Sequence, residues 1–194
     1  MLNYEMNRLT PILLLPVLAC SNQVTYEDPE AVETLTAEFG ATDLMMIAHD
    51  MTQGFLGSGT FGDEKPIVVF GGIQNRTAQH IDTRSISDTI QTSLLQSGKF
   101  TIVAGDSGLE EIDREIAHQR SGKVDMAYAA EMGRQKGAEF VLYGRMSEIH
   151  KEAGRTESRW VKFTLNAVNV QTREILWADE ATISKRETKA LLGW

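Results

Sequence analysis

The sequence predicts an α/β fold: a small mixed-sheet sandwich of about five strands with three to four helices. Three stretches carry this expectation. Ile67-Val68-Val69-Phe70 is a continuous apolar run, β-branched at all but its last position, as in a strand buried on both faces. Ile86, Ile90 and Leu94 recur every four residues, which is one stripe of a helix facing a core. Val161, Phe163, Leu165 and Ala167 alternate with Lys162, Thr164 and Asn166, which is a strand with one face covered.

Residues 1–19 have a secretory pattern. The apolar part, Leu9 to Leu18, is broken by Pro11 and Pro16 and is too short to span a bilayer. It ends in Val17-Leu18-Ala19-Cys20. This resembles the bacterial lipobox, in which apolar residues and a small residue precede a cysteine whose thiol takes a diacylglycerol before cleavage. Cys20 is the chain's single cysteine, so no internal disulfide can form. More than one acyl chain at a mature N-terminus gives lasting membrane attachment. Ser21 stands where Asp would retain the protein in the inner membrane under enterobacteria-like sorting, so the outer membrane, with the domain facing the periplasm, is implied. Residues 20–40 are polar and acidic and read as the lipidated N-terminus and a tether with a little order near Val32 and Leu35; about twenty extended residues reach at most roughly 70 Å.

The globular domain is expected over 41–194. Thr42 or Asp43 caps a first helix with Leu44, Ile47, Ala48 and Met51 on one face, extended by Phe55 and Leu56. Gly54, Gly57, Gly59 and Gly62 make a loose loop that lacks Gly-Lys-Ser/Thr, which argues against a nucleotide site. After the first strand, Gly71-Gly72 suggests a bulge or a close backbone approach, and the chain turns polar at Gln74-Asn75-Arg76-Thr77. Asp82 caps the second helix, with Leu95 beside its stripe, and Gly98 supplies the φ > 0 stop. A second strand runs over Lys99–Val103. Gly105 to Gly108 is a turn, followed by a helix near Leu109–Gln119 with Leu109, Ile112 and Ile116 in register and a break at Ser121-Gly122. Asp125 caps a further helix from Met126 to Lys136, stopped by Gly137. Glu139–Tyr143 is a third strand running through Arg145 toward Ile149, and strands separated by helices imply parallel crossovers. Glu152–Glu157, with Gly154, is a hairpin loop; Gln171-Thr172-Arg173 is a turn; Glu174 to about Ser184 is the last strand. Leu191 to Trp194 is a short apolar tail.

At 194 residues and 42% hydrophobic composition, the chain is one domain plus a leader. A net charge of −8 and a pI near 5.0 argue against nucleic acid as a partner, since no basic run exists to release counterions from phosphate. No catalytic constellation stands out. His49, His80, His118 and His150 are scattered and no His-Glu-x-x-His occurs. Glu115-x-x-His118 has di-iron spacing, but such sites need that pair twice with two more carboxylates, so a solvated helix face is the simpler reading. Gly-x-Ser-x-Gly, Ser-x-x-Lys and Lys-Thr-Gly are absent, so neither an enzyme in general nor a transpeptidase in particular is expected, and no cofactor or metal is implied.

Asn75-Arg76-Thr77, His80-Ile81-Asp82-Thr83 and Ser97-Gly98-Lys99-Phe100 follow one another in a distinctive order. Ala31 to Thr36, Phe39 to Leu44, Tyr143-Gly144 and Trp177-Ala178-Asp179-Glu180 extend it from about Ala31 to Thr188. Together they are similar to the LpoB family, bacterial lipoproteins that activate penicillin-binding proteins. The resemblance implies a small α/β sandwich whose globular domain contacts an accessory domain of a peptidoglycan synthase, and it carries that contact to Arg76 and Tyr143. Family tethers are longer and proline-rich, whereas this one has only Pro29. If the first and third strands are parallel neighbours, Asn75, Arg76 and Thr77 come close to Tyr143 and Arg145 on one edge. Tyr and Arg anchor interfaces by offering large area and a polar tip at low entropy cost. The bland alternative is that Asn75-Arg76-Thr77 caps the loop and Tyr143 is a half-buried strand residue. Lys99-Phe100 and Trp177 read as core and strand-end residues. The functional expectation is an outer-membrane lipoprotein that binds and activates a bifunctional class A penicillin-binding protein. The competing readings are an assembly or secretion accessory lipoprotein on a related fold and, weakened by the missing catalytic set, a periplasmic hydrolase.

Overall fold

Side chains alternate across a strand, so in-phase apolar residues on neighbouring strands make one dry face, and helices with matching stripes cover it. In this computed structural model, which describes residues 28–29, 31–33, 36–62, 64–125, 127, 129 and 135–190, that face belongs to a five-stranded mixed sheet. The strands are β1 (Ile67–Arg76), β2 (Thr101–Ile102), β3 (Phe140–Ala153), β4 (Thr156–Asn169) and β5 (Ile175–Thr188), in the order β2-β1-β3-β4-β5. β1 runs parallel to β2 and β3, as the intervening helices require, and β3-β4-β5 is an antiparallel meander. The first hairpin turns at Gly154, whose φ of 60° a side chain would resist. The second turns after Asn169, whose side-chain oxygen accepts from the N–H groups of Gln171 (2.8 Å) and Thr172 (2.9 Å).

Helices α1 (Ala41–Gly57) and α2 (Thr83–Gln96) cover the dry face. Ile47, Met51 and Phe55 of α1 and Ile86, Ile90 and Leu94 of α2 are fully buried with Val68, Leu142, Met146, Phe163 and Leu165 of the sheet. Phe55 is the centre of an aromatic cluster. Its ring lies 4.9 Å from Phe100, 4.8 Å from Trp177 and 5.2 Å from Phe61, in stacked, edge-on and tilted arrangements respectively. Phe100 and Trp177 are thus core residues, as expected. A third helix, α3 (Asp106–His118), lies on the opposite side, where Leu109, Ile112 and Ile116 line a groove with Val69.

The structure refines several expectations. Asp82 caps α2 by accepting from the N–H groups of Arg84 (3.0 Å) and Ser85 (3.3 Å), and Gly98 takes φ 70° after it. Leu95, however, is 56% exposed, because one residue past Leu94 the helix has rotated by about 100° away from the core. The N-cap of α1 is Gly40; Asp43 sits in the first turn and accepts from the Gly40 N–H at 2.9 Å. β1 does not stop at Phe70. A register shift between Phe70 and Ile73 bulges the strand at Gly71-Gly72, and the polar Gln74–Arg76 continue the ladder. Gly72 takes φ 95°, and a Cβ on Gly71 would stand 2.7 Å from the Val141 Cγ1. Only Val68 of the β1 apolar run is fully buried; Ile67 and Val69 face the side that α3 covers incompletely and are half-buried, and Phe70, on the core side with Val68, is half-buried at the edge of the core. The second strand shrinks to two residues, and α3 starts at Asp106 behind a Gly105 cap rather than at Leu109.

Residues expected to belong to the tether are partly folded. Ala37 is 4% exposed, and its N–H donates to Glu187 (3.2 Å). The Lys185 ammonium donates to the Glu38 carbonyl (2.7 Å) and to Asp43 (2.8 Å). The chain is therefore docked from about Ala31, not from residue 41. The leader, Cys20, most of the expected Met126–Lys136 helix and the Leu191–Trp194 tail lie outside the described residues. Among the described residues no helix is long and apolar enough to cross a membrane.

Candidate functional site: the outward sheet face and the loop behind it

With α1 and α2 on one face, the sheet over β3, β4 and β5 presents its other face outward. On these strands the outward positions are odd-numbered on β3 and even-numbered on β4 and β5, out of phase with the buried Leu142, Phe163 and Ile183. Register then fixes rows across the face. Arg76, Ser147, Lys162 and Thr182 make one; Gln74, Arg145, Thr164 and Glu180 make the next; Tyr143, Asn166 and Ala178 make the one after. Arg76, Tyr143 and Arg145 therefore share one exposed face, in successive rows, with Tyr143 40% exposed. Successive rows lie roughly 7 Å apart, since each advances two residues along the strand. The bulge at Gly71-Gly72 leaves no side chain beside Tyr143. A shallow open depression of about 560 Å³ results, walled by Gln74, Tyr143, Arg145, Thr164 and Asn166.

Asn75 and Thr77 do not join that face. Asn75 is out of phase with Arg76 and pairs in register with the buried Met146. Its Nδ2 donates to the Gln79 carbonyl (2.9 Å), and its Oδ1 accepts from the Thr77 N–H (2.9 Å) and hydroxyl (2.8 Å). These two residues build the loop that follows Arg76.

Behind the loop lies an ionic network that sequence reasoning missed. Glu148, on the inward side of β3, accepts from the Ala78 N–H (3.0 Å), Gln79 Nε2 (2.9 Å) and Arg159 Nη1 (2.8 Å). Arg159 Nε donates to Glu157 (2.7 Å), which also meets His150 (3.1 Å) and, more loosely, Lys189 (3.8 Å). Gln79 extends the network to the N-terminal strap, where its Oε1 accepts from the Phe39 N–H at 2.7 Å. Burial acts to raise the Glu148 carboxyl, yet hydrogen bonds from Arg159, the Ala78 N–H and Gln79, with the guanidinium charge, hold it below the usual carboxylate value. The Arg159 hydrogen bond is the main cause holding Glu157 low. Burial would lower Arg159, but its two carboxylates outweigh that and raise it. His150, Glu152 and Glu157 also bring ligand-type atoms within 4.8 Å of one another. Arg159 and Lys189 already supply positive charge to Glu157, so the group reads as part of the ion-pair network. A signal existed in the sequence: Glu148 falls in phase with Leu142 and Met146, and Arg159 with Val161 and Phe163, where charge is expected only if paired. Glu115 and His118 are exposed on α3.

Residues 43–183 match a family model described as the peptidoglycan-synthase activator LpoB. Among solved structures the chain is similar to the LpoB C-terminal domain from Escherichia coli, at 19% identity over 74% of this chain and 99% of that one, with a TM-score of 0.45. It is also similar to the LpoB C-terminal domain from Salmonella enterica, at 17% identity over 73% and 98% with a TM-score of 0.45. A lipoprotein, GNA1162 from Neisseria meningitidis, is similar at 16% identity over 63% and 83% with a TM-score of 0.40. No curated protein sequence matches. Since the family match begins in the first turn of α1 and ends in the second half of β5, the chain belongs to the LpoB family of peptidoglycan-synthase activators.

Proposed function

We propose that this protein is an outer-membrane lipoprotein, anchored through Cys20 and facing the periplasm, that docks a bifunctional class A penicillin-binding protein and stimulates its synthesis of peptidoglycan. The observation that carries the docking surface is that Arg76, Tyr143 and Arg145 project from one exposed face of a rigid sheet in a chain of this family. Two guanidinium groups in adjacent rows, with an aromatic ring in the row beyond Arg145, offer the side chains that anchor interfaces, and the glycine bulge beside Tyr143 leaves room for a partner side chain. Asn75 and Thr77 serve this surface indirectly, by fixing the loop after Arg76. Stimulation needs no chemistry from this chain. An effector that binds the active state of the synthase more tightly than its resting state shifts the population toward activity.

The test is binding of the Ser21–Trp194 chain to the ectodomain of a class A penicillin-binding protein from the same organism, with glycan-chain synthesis followed in the same tube. Binding with faster synthesis is expected, and Arg76→Ala or Tyr143→Ala should each weaken binding by about tenfold or more. Binding without acceleration would leave a scaffold. Absence of binding at tens of micromolar by a well-folded chain would sink the reading. The anchor is tested separately: Cys20→Ser should move the full-length protein from the membrane fraction to the soluble periplasmic fraction.

A further inference from the structure

The two faces of the β3-β4-β5 meander differ in charge. The side facing the helices carries Glu148, Glu152, Glu157, Asp179 and Glu187 against Arg159 and Lys185, with His150 beside them, so carboxylates are in excess there. The outward rows carry Arg145, Lys151, Lys162 and Arg186, with Arg76 joining from β1, and among the described residues Glu180 is the one carboxylate in those rows. Glu180 is held in an ion pair by Lys162. This excess of positive charge stands on a chain whose net charge is −8. Beyond the Arg76 row, toward the β3-β4 hairpin, Ile149 pairs with Trp160 and Trp160 with Ser184 in one row, and Lys151 pairs with Ser158 and Ser158 with Arg186 in the next. Lys151 and Arg186 are exposed, and Ile149 is exposed beside the half-buried Trp160.

We infer that the outward sheet face is a docking surface for an acidic protein surface, and that its footprint runs past Arg76 to the Ile149/Trp160 and Lys151/Arg186 rows. The inference deepens the proposed function and rests on it: it states the charge of the synthase surface that docks and adds residues to the contact. The protein's own overall charge repels acidic partners at a distance, so a local basic face orients the encounter as well as strengthening it. The Ser and Thr residues between the cations supply short hydrogen-bonding groups, and Trp160 and Ile149 supply apolar area at the footprint's far end. A protein surface uses both, whereas a polyanion such as nucleic acid would need a basic run that the chain lacks.

The experiment compares three Ser21–Trp194 chains against the same class A ectodomain at low and moderate salt. The first is the wild type. The second carries Lys151→Glu with Arg186→Glu. The third carries Lys65→Glu with Arg120→Glu, two exposed cations outside these rows whose reversal changes the net charge equally. All sites are exposed, so thermal melting should stay the same across the set. The outward pair is expected to lose about tenfold or more in affinity at low salt, mostly in association rate, and to show a flatter salt dependence, while the control pair loses less than about threefold. Equal losses in both pairs would mean that net charge alone acts, and no loss in the outward pair would place the contact elsewhere; either result overturns the inference while leaving synthase binding intact. Failure of the wild type to bind would remove the proposed function and this inference with it. Binding of the wild type to phosphatidylglycerol vesicles, abolished by the outward pair while synthase binding is untouched, would assign the face to a lipid surface and also overturn it.

Discussion

Arg159 links Glu157 to Glu148, the carboxylate that holds the rear of the sheet to the loop after Arg76. Replacing it with Leu leaves Glu148, nearly enclosed, without its cation, at a cost of about 3 kcal/mol at pH 7. The sign of the pH dependence follows from the shifts. In the wild type, Glu148 and Glu157 are held below their ordinary value of 4.5, so their contribution is present above that value and is lost as the pH falls through the folded value. In Arg159→Leu, the guanidinium hydrogen bond and charge that lower Glu148 are gone while its burial stays, so its carboxyl is expected to move up and protonation as the pH falls relieves the variant. The gap in Tm between wild type and variant should therefore narrow between pH 7 and pH 4. A gap that stays constant across that range would mean that the pair contributes through packing alone. Neither residue was legible as a partner in the sequence. Phase placed both on the inward side, but pairing across strands needs the register, and the register comes from turns whose exact length the sequence does not state.

At the scale of the element, α2 shows what periodicity can and cannot fix. The four-residue repeat identified Ile86, Ile90 and Leu94, all fully buried, and the Asp82 cap. Ile90→Ala should cost about 3 kcal/mol, Asp82→Ala about 1 kcal/mol, and Leu95→Ala within about 0.5 kcal/mol, as read from urea unfolding of the three variants. A large effect at Leu95 would mean that its exposed side chain is covered in solution. β1 was read less well. Its polar end looked like a loop because Gln74 and Arg76 are outward residues of an uncovered face, where hydrophobic pattern is silent. The bulge was legible from Gly71-Gly72, since only glycine takes the φ of 95° found at Gly72 without strain. α3 was found but misjudged at its start, because a Gly105 cap leaves no side-chain oxygen to announce it.

For the molecule as a whole, the fold class and the parallel neighbouring of the first and third strands were readable, because they follow from alternation plus the length of the connections; the grouping of Asn75 and Thr77 with Arg76, Tyr143 and Arg145 on one edge was not, because alternation turns Asn75 to the other side and Thr77 into the loop. The boundary of the domain was not. An acidic stretch such as 31–40 reads as tether, and only the tertiary partners, Lys185, Glu187 and Gln79, convert it into a folded strap. Deleting residues 21–39 should thus lower the Tm by about 5 °C relative to Ser21–Trp194, where a mere tether would leave it unchanged.

That strap would also set a geometry under the anchoring proposed at Cys20. Ten residues separate Cys20 from Ala31 in the sequence, a contour of at most roughly 36 Å. Under the proposed anchoring at Cys20, a link that short would confine the proposed docking face to a thin shell beneath the membrane, at an effective concentration in the millimolar range for anything that enters the shell. The search for a synthase would then be one-sided: this protein would wait near its membrane, and the synthase would have to present its acceptor surface within that shell. Stimulation would then depend on how far the synthase extends from the opposite membrane, making the pair responsive to the spacing between the two membranes.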